Sequence, residues 1–89
     1  MLRIRGRDTQ PLVQGGMGVG VSARRLAGTV AREGCVGTIS SVDLRRLHPD
    51  LMRATGRSRD RQAIEDANLV ALDREIRAAK EISRGEGLI

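Results

Sequence analysis

An α/β fold built on a parallel strand–helix–strand unit is predicted by three observations on this chain of 89 residues. An apolar stretch, a helical stripe and a second, β-branched stretch follow one another within about 30 residues, the length of a βαβ unit. A glycine-dense turn, Gly15 to Gly20, joins the first stretch to the helix. The second stretch, Val36-Gly37-Thr38-Ile39-Ser40, is short and compact, as a buried parallel strand should be.

Each element carries its own signal. Leu2 and Ile4 alternate with Arg3 and Arg5, then Gly6 and Asp8 supply turn chemistry, so a short N-terminal strand or half-hairpin should precede the main fold. Leu12-Val13-Gln14 is the next strand, with Pro11 at the position where a missing N–H does least harm. Ser22 is suited to cap the following helix, because its hydroxyl can accept from the free N–H groups of a first turn. Ala23, Leu26, Ala27, Val30 and Ala31 then recur at helical spacing, and Gly34 stands where a helix takes its left-handed stop. A right-handed crossover makes the two strands parallel.

The connection from Ser41 to Arg61 holds Pro49, Gly56 and many arginines. A short helix is expected from about Pro49 to Ala54, and the arginines from Arg53 to Arg61 are expected to form a mobile, solvated loop. From about Gln62 to Arg84 the pattern is helical again, with Leu69, Leu72, Ile76 and Ala79 on one face. Asp73 and Arg77 make a well-oriented i,i+4 pair there, and Gly85 and Gly87 end the helix. Gly87-Leu88-Ile89 reads as the start of a third strand. Two or three parallel strands with helices on one face would leave the other face bare, whereas parallel sheets are covered on both. The chain is therefore expected to be the front portion of a larger α/β protein.

Composition narrows the function classes. No apolar run approaches the roughly 20 residues that span a bilayer, and no signal-peptide core follows the basic N-terminus, so the expectation is a cytoplasmic protein with no membrane partner. Cys35 stands alone, which excludes a disulfide framework and a cysteine metal site and suggests a small buried residue. There is no Phe, Tyr or Trp, so the stacking platforms of single-strand nucleic-acid binders are missing. The formal charge of +5 is almost wholly arginine, yet the arginines lie singly or in pairs and mix with acids. An ordinary arginine-rich surface, with no nucleic-acid partner, is expected. His48 precedes Pro49 with no carboxylate at convincing spacing, and reads as a solvated loop residue. No paired carboxylates, metal spacing or nucleophile elbow appears.

The chemistry is concentrated in the turn. Four glycines between Gly15 and Gly20 leave main-chain N–H groups open to a flat or phosphorylated ligand. One reading is a dinucleotide fingerprint, in which Gly18-Val-Gly20-Val-Ser-Ala23 matches G-x-G-x-x-A and Asp43 is the ribose-binding acid. Here, though, Gln14-Gly15-Gly16-Met17 separates the strand from the first glycine of that motif. A second reading is a purely structural turn, which leaves the four glycines without a common cause.

A third reading comes from a resemblance. Pro11-Leu-Val-Gln-Gly-Gly-Met-Gly-Val-Gly-Val-Ser22, with Arg25-Leu-Ala-Gly28 and Gly34-Cys-Val-Gly-Thr-Ile39, resembles the N-terminus of nitronate monooxygenases. The likeness continues through Ser41-Val-Asp-Leu-Arg-Arg-Leu-His-Pro-Asp50 and Asn68-Leu-Val-Ala-Leu-Asp-Arg-Glu-Ile76, so it covers nearly the whole chain. The Gln-Gly-Gly-Met core alone is also similar to FMN-dependent enoyl reductases of fatty-acid synthesis. The resemblance implies the first two βα units of a (β/α)8 TIM barrel, truncated, that carries FMN at the C-terminal ends of its strands. It implies an oxidoreductase that converts alkyl nitronates and O2 to carbonyl compounds and nitrite. Gly15, Gly16 and Met17 would lie along the flavin ring. The phosphate-binding turns and the catalytic histidine of the family belong to later parts of the barrel, so no catalytic residue is assigned here. Cys35 departs from the family, which usually has glycine there.

Overall fold

The computed structural model describes residues 2–89. At the N-terminus β1 (Leu2–Ile4) and β2 (Arg7–Thr9) pair antiparallel, Leu2 opposite Thr9 and Ile4 opposite Arg7, so the half-hairpin of the sequence is a complete hairpin. Arg5 and Gly6 both take positive φ, 50° and 77°. That is the two-residue turn whose twist matches its strands.

Three extended segments form the parallel part. Val13 pairs with Val36 and Val36 with Leu88, both in parallel, which puts Val36 in the middle. Val36 N–H donates to Leu12 O and its carbonyl accepts from Gln14 N–H, each at 3.0 Å. On the other side Gly37 N–H reaches Leu88 O at 2.7 Å, and Leu88 N–H reaches Cys35 O at 3.1 Å. The pairing is briefer than the strands expected over 12–14 and 36–40, for a local reason. Beyond Gln14 the backbone swings into the glycine turn, and the Gln14 side chain accepts the next N–H, that of Thr38, at 3.2 Å.

Helix α1 (Arg24–Arg32) lies against the long helix α3 (Arg61–Ser83). α1 buries Ala27, Gly28 and Ala31, the middle of its predicted stripe, while α3 buries Ala67, Ala71, Glu75, Ala79 and Ser83. The second set lies one step round from the predicted face. Ala79 is common to both, but Leu69 is 64% exposed. The seam selects small side chains because the backbones are close: a Cβ on Gly28 would lie 2.7 Å from Ile82 Cβ and 2.9 Å from Ala79 O. A chain without aromatic rings gains its dispersion contacts by close approach instead of by large side chains.

The remaining segment packs on α3. A 3-10 turn, Leu44–Leu47, leads to α2 (Pro49–Thr55), close to the expected helix. Leu44 is fully buried, and the buried Arg45 donates to Asp43 Oδ1 at 2.9 Å and to Thr55 Oγ1 at 3.1 Å. Asp60 caps α3, accepting from the N–H groups of Gln62 and Ala63 at 3.0 and 3.4 Å. Arg53 thus lies in α2 and Arg61 opens α3, so the expected loop shortens to residues 56–60, and its arginines are exposed as expected. Asp73 and Arg77 form their i,i+4 ion pair at 3.1 Å, and Cys35 is buried. No described helix is long and apolar enough to cross a membrane.

Candidate functional site

The glycine turn is closed by Ser22. Its hydroxyl accepts from Met17 N–H at 2.8 Å and from the Gln14 amide at 2.9 Å, and reaches Gly15 O at 3.3 Å. Its main chain is engaged too: Ser22 N–H donates to Met17 O at 2.8 Å and Ser22 O accepts from Ser40 N–H at 2.9 Å. Ser22 is fully buried, which makes these bonds hard for water to replace. The sequence reading of Ser22 as the α1 cap is therefore corrected. Ala23 holds the cap position with no side-chain bond, because the Ser22 hydroxyl faces back into the turn.

The four glycines of the turn divide into two pairs. Gly20 has φ +77°, and a Cβ there would lie 2.8 Å from Leu47 Cδ2. At Gly18 an added Cβ would press on Val42 Cβ at 3.1 Å and Ser40 Oγ at 3.2 Å. The chain itself needs glycine at 20, and at 18 a side chain fits only if Val42 and Ser40 give way. At Gly16 the nearest atom would be Thr38 Cγ2 at 3.6 Å, an ordinary contact, and at Gly15 nothing lies within 4 Å. Neither has a left-handed φ, so the chain alone places no demand for glycine at 15 or 16. Met17, the third residue assigned to the site, is 51% exposed beside them.

A second constellation, which sequence reasoning missed, adjoins the turn. Glu75 is 1% exposed on α3, and its carboxylate accepts from Arg24 N–H at 3.1 Å, from Arg24 Nη2 at 2.7 Å and from His48 Nε2 at 2.9 Å. Arg74 reaches the other ring nitrogen, His48 Nδ1, at 3.4 Å and grips Asp50 with two bonds of 3.0 Å. Arginine only donates, so Nδ1 is the acceptor and Nε2–H the donor to Glu75. Burial pushes the Glu75 carboxyl up, but the hydrogen bonds from the Arg24 side chain and main chain, with the charge of Arg24, outweigh it and hold the group below its ordinary value. Glu75 borders a groove of about 540 Å³ together with Gly20, Val21, Leu47, Arg24 and Arg25.

This cluster corrects one sequence reading and weighs on another. His48 is not a solvated loop residue: it is 7% exposed, and its partner carboxylate comes from α3, 27 residues away, where local spacing gives no hint. The only available signal was an acid on the inward row of a helix, beside Ala71 and Ala79. The dinucleotide reading needs a pyrophosphate at the N-terminus of α1. The Glu75 carboxylate occupies that place, bonded to Arg24 N–H. Asp43, the acid that reading assigned to a ribose, is bound by Arg45 and Arg46, and the Arg46 guanidinium foremost holds its carboxyl below the usual range. The structure brings Gly15, Gly16 and Met17 together on one exposed turn and places His48 in the Glu75 cluster, bonded to that carboxylate. Comparison with protein-family models, with curated proteins and with solved structures finds no match for this chain.

Proposed function

We propose that the chain is the N-terminal part of an FMN-dependent oxidoreductase barrel of the nitronate monooxygenase type, and that its glycine turn forms the ring-side wall of the flavin site. The observation that carries the reading is the contrast within the turn. Gly15 and Gly16 are glycine where neither packing nor φ asks for it: a Cβ at Gly15 would meet nothing within 4 Å, and one at Gly16 would make only ordinary contact with Thr38 and Ser40. Ser22 and Gln14 hold that backbone in place. The three parallel segments, with the turn at the C-terminal end of the first, match the arrangement in which barrels place their sites. The α1 N-terminus, already taken by Glu75, fits a site whose phosphate is held elsewhere.

FMN, when bound, supplies the redox chemistry by which an alkyl nitronate and O2 give a carbonyl compound and nitrite. This chain's part is to position the ring, through the main chain of Gly15, Gly16 and Met17, and to exclude water from one side of it. Proton transfer and phosphate binding fall to later barrel units.

Nitrite release from an alkyl nitronate in air is the deciding assay, run on the product of the complete reading frame with and without Gly16→Val. Nitrite release with the native turn, reduced at least tenfold with flavin loss in Gly16→Val, supports the proposal. Turnover of enoyl substrates with a nicotinamide donor instead would move the chain to the reductase class. Equal activity in both forms would overturn the ring-wall assignment. The 89-residue chain alone is expected to bind FMN weakly or not at all by fluorescence titration.

A further inference from the structure

Helix α3 carries a second apolar row beside the alanine row of its seam with α1. Leu69, Leu72 and Ile76 lie on it, with Glu65 at one end and Lys80 at the other. At about 100° per residue, these five positions fall within an arc of about 80°. The same five side chains line two grooves that meet at Leu72. One, of about 360 Å³, runs between Ser41 and the α3 residues Glu65, Leu69 and Leu72. The other, of about 320 Å³, runs between Val36, Ile39 and Leu88 and the α3 residues Leu72, Ile76 and Lys80. Leu69 is 64% exposed, and Leu72 and Ile76 are only half-buried.

The charges that end the row are not used within the chain. Asp73, beside the row, pairs with Arg77, and Asp66 accepts from the Gln62 amide at 2.8 Å. Glu65 and Lys80 form no ion pair among the described residues, Glu65 not even with Arg61 one turn before it. An acid at one end and a base at the other make the row complementary to itself in one orientation. Across a two-fold axis midway between residues 72 and 73, antiparallel helices set Glu65 level with Lys80 of the second copy, and Leu69 level with Ile76. The exposed Leu69 then stands over the groove beside Ile76, where Val36, Ile39 and Leu88 supply an apolar floor. Parallel helices would instead oppose Glu65 to Glu65 and Lys80 to Lys80.

We propose that this face of α3 joins two copies of the chain in an antiparallel two-fold dimer. Leu69, Leu72 and Ile76 form its apolar seam, and a Glu65–Lys80 pair closes each end. The proposal stands apart from the flavin reading, since the face shares no residue with the glycine turn and its test involves no flavin.

The test is sedimentation equilibrium of the 89-residue chain at several loading concentrations. Three apolar residues per copy make a narrow seam, so a dimer with Kd on the order of tens of micromolar is expected. Leu69→Asp, at an exposed position, should weaken association at least tenfold. Glu65→Lys and Lys80→Glu, each alone, bring like charges together at both ends and should weaken it about fivefold or more. The double variant Glu65→Lys/Lys80→Glu restores opposite charges and should associate like the native chain. An equal mixture of the two single variants should also dimerise, as a heterodimer. Circular dichroism would show each variant still helical. A native chain that stays monomeric up to about 300 µM would overturn the proposal and leave the grooves to another occupant. Equal association of the single and double variants would overturn it too, for then the charges set no register.

Discussion

The glycine turn and the Glu75 cluster lie side by side and solve opposite problems. In the turn the polar groups are backbone atoms, closed by one serine, and the outer surface at Gly15 and Gly16 is left bare. In the cluster a buried carboxylate is satisfied wholly from within, by Arg24 and His48. The difference shows which polar groups are free for a ligand. The usual anion position of a βα unit, the first N–H groups of the helix, is closed by the protein's own carboxylate, whereas the turn before it stays open.

The comparison can be broken most severely at Glu75. Glu75→Ala removes the acceptor shared by Arg24 and His48, but the Arg24 side chain is 43% exposed and can turn to water, so a loss of about 2–3 kcal/mol is expected, below the full cost of orphaning a buried pair. Urea unfolding followed by circular dichroism would measure it, and an unchanged midpoint would show that the cluster is idle.

Acid acts on the same carboxylate with a smaller span. The Glu75 carboxyl titrates below its ordinary 4.5 in the folded chain, so its contribution is complete above that pH. It is lost as pH falls through the lower folded value. The urea midpoint of the native chain should drop on acidification from pH about 5 to about 3. In Glu75→Gln the drop should be shallower, the remainder coming from Asp43 and Asp50, whose carboxyls are also held low. Parallel curves for the two proteins would contradict this.

The turn should respond more weakly. Ser22→Ala takes the acceptor from Met17 N–H and is expected to cost about 1 kcal/mol. Amide exchange at Met17 should accelerate by about fivefold to tenfold, while amides of the α1–α3 seam change little. Smallest of all is Gly15→Ala, neutral or stabilising by up to about 1 kcal/mol because the new methyl meets no neighbour and the φ is ordinary. A clear destabilisation there would mean that the chain, and not a ligand, requires that glycine.

Much of the architecture was legible along the chain. The hairpin, α1, its left-handed stop at Gly34, the short helix after Pro49 and the long helix all rest on contacts within a few residues. Errors arose where a side chain had a choice of partner. Ser22 stood at the right place for a cap but turned back to Met17, and Leu69 fitted the stripe of α3 while an alanine row formed the seam. The site was legible in part, as a surplus of glycine, but not which glycines were the surplus.

The sequence by itself determined the order of elements, the position of the turn and the excess of arginine, because helical period, turn residues and charge are local properties of a chain. Only the tertiary structure decided that Glu75 reaches Arg24 and His48 across the seam, that Gly20 is needed for its φ and Gly18 is tightly surrounded while Gly15 and Gly16 are neither, and that Arg53, Arg57, Arg59 and Arg61 form no ion pair among the described residues. Those outcomes depend on which distant atoms share a volume. Burial then makes the choice of partner decisive, since a buried charge or N–H left without one costs far more than the same group in water.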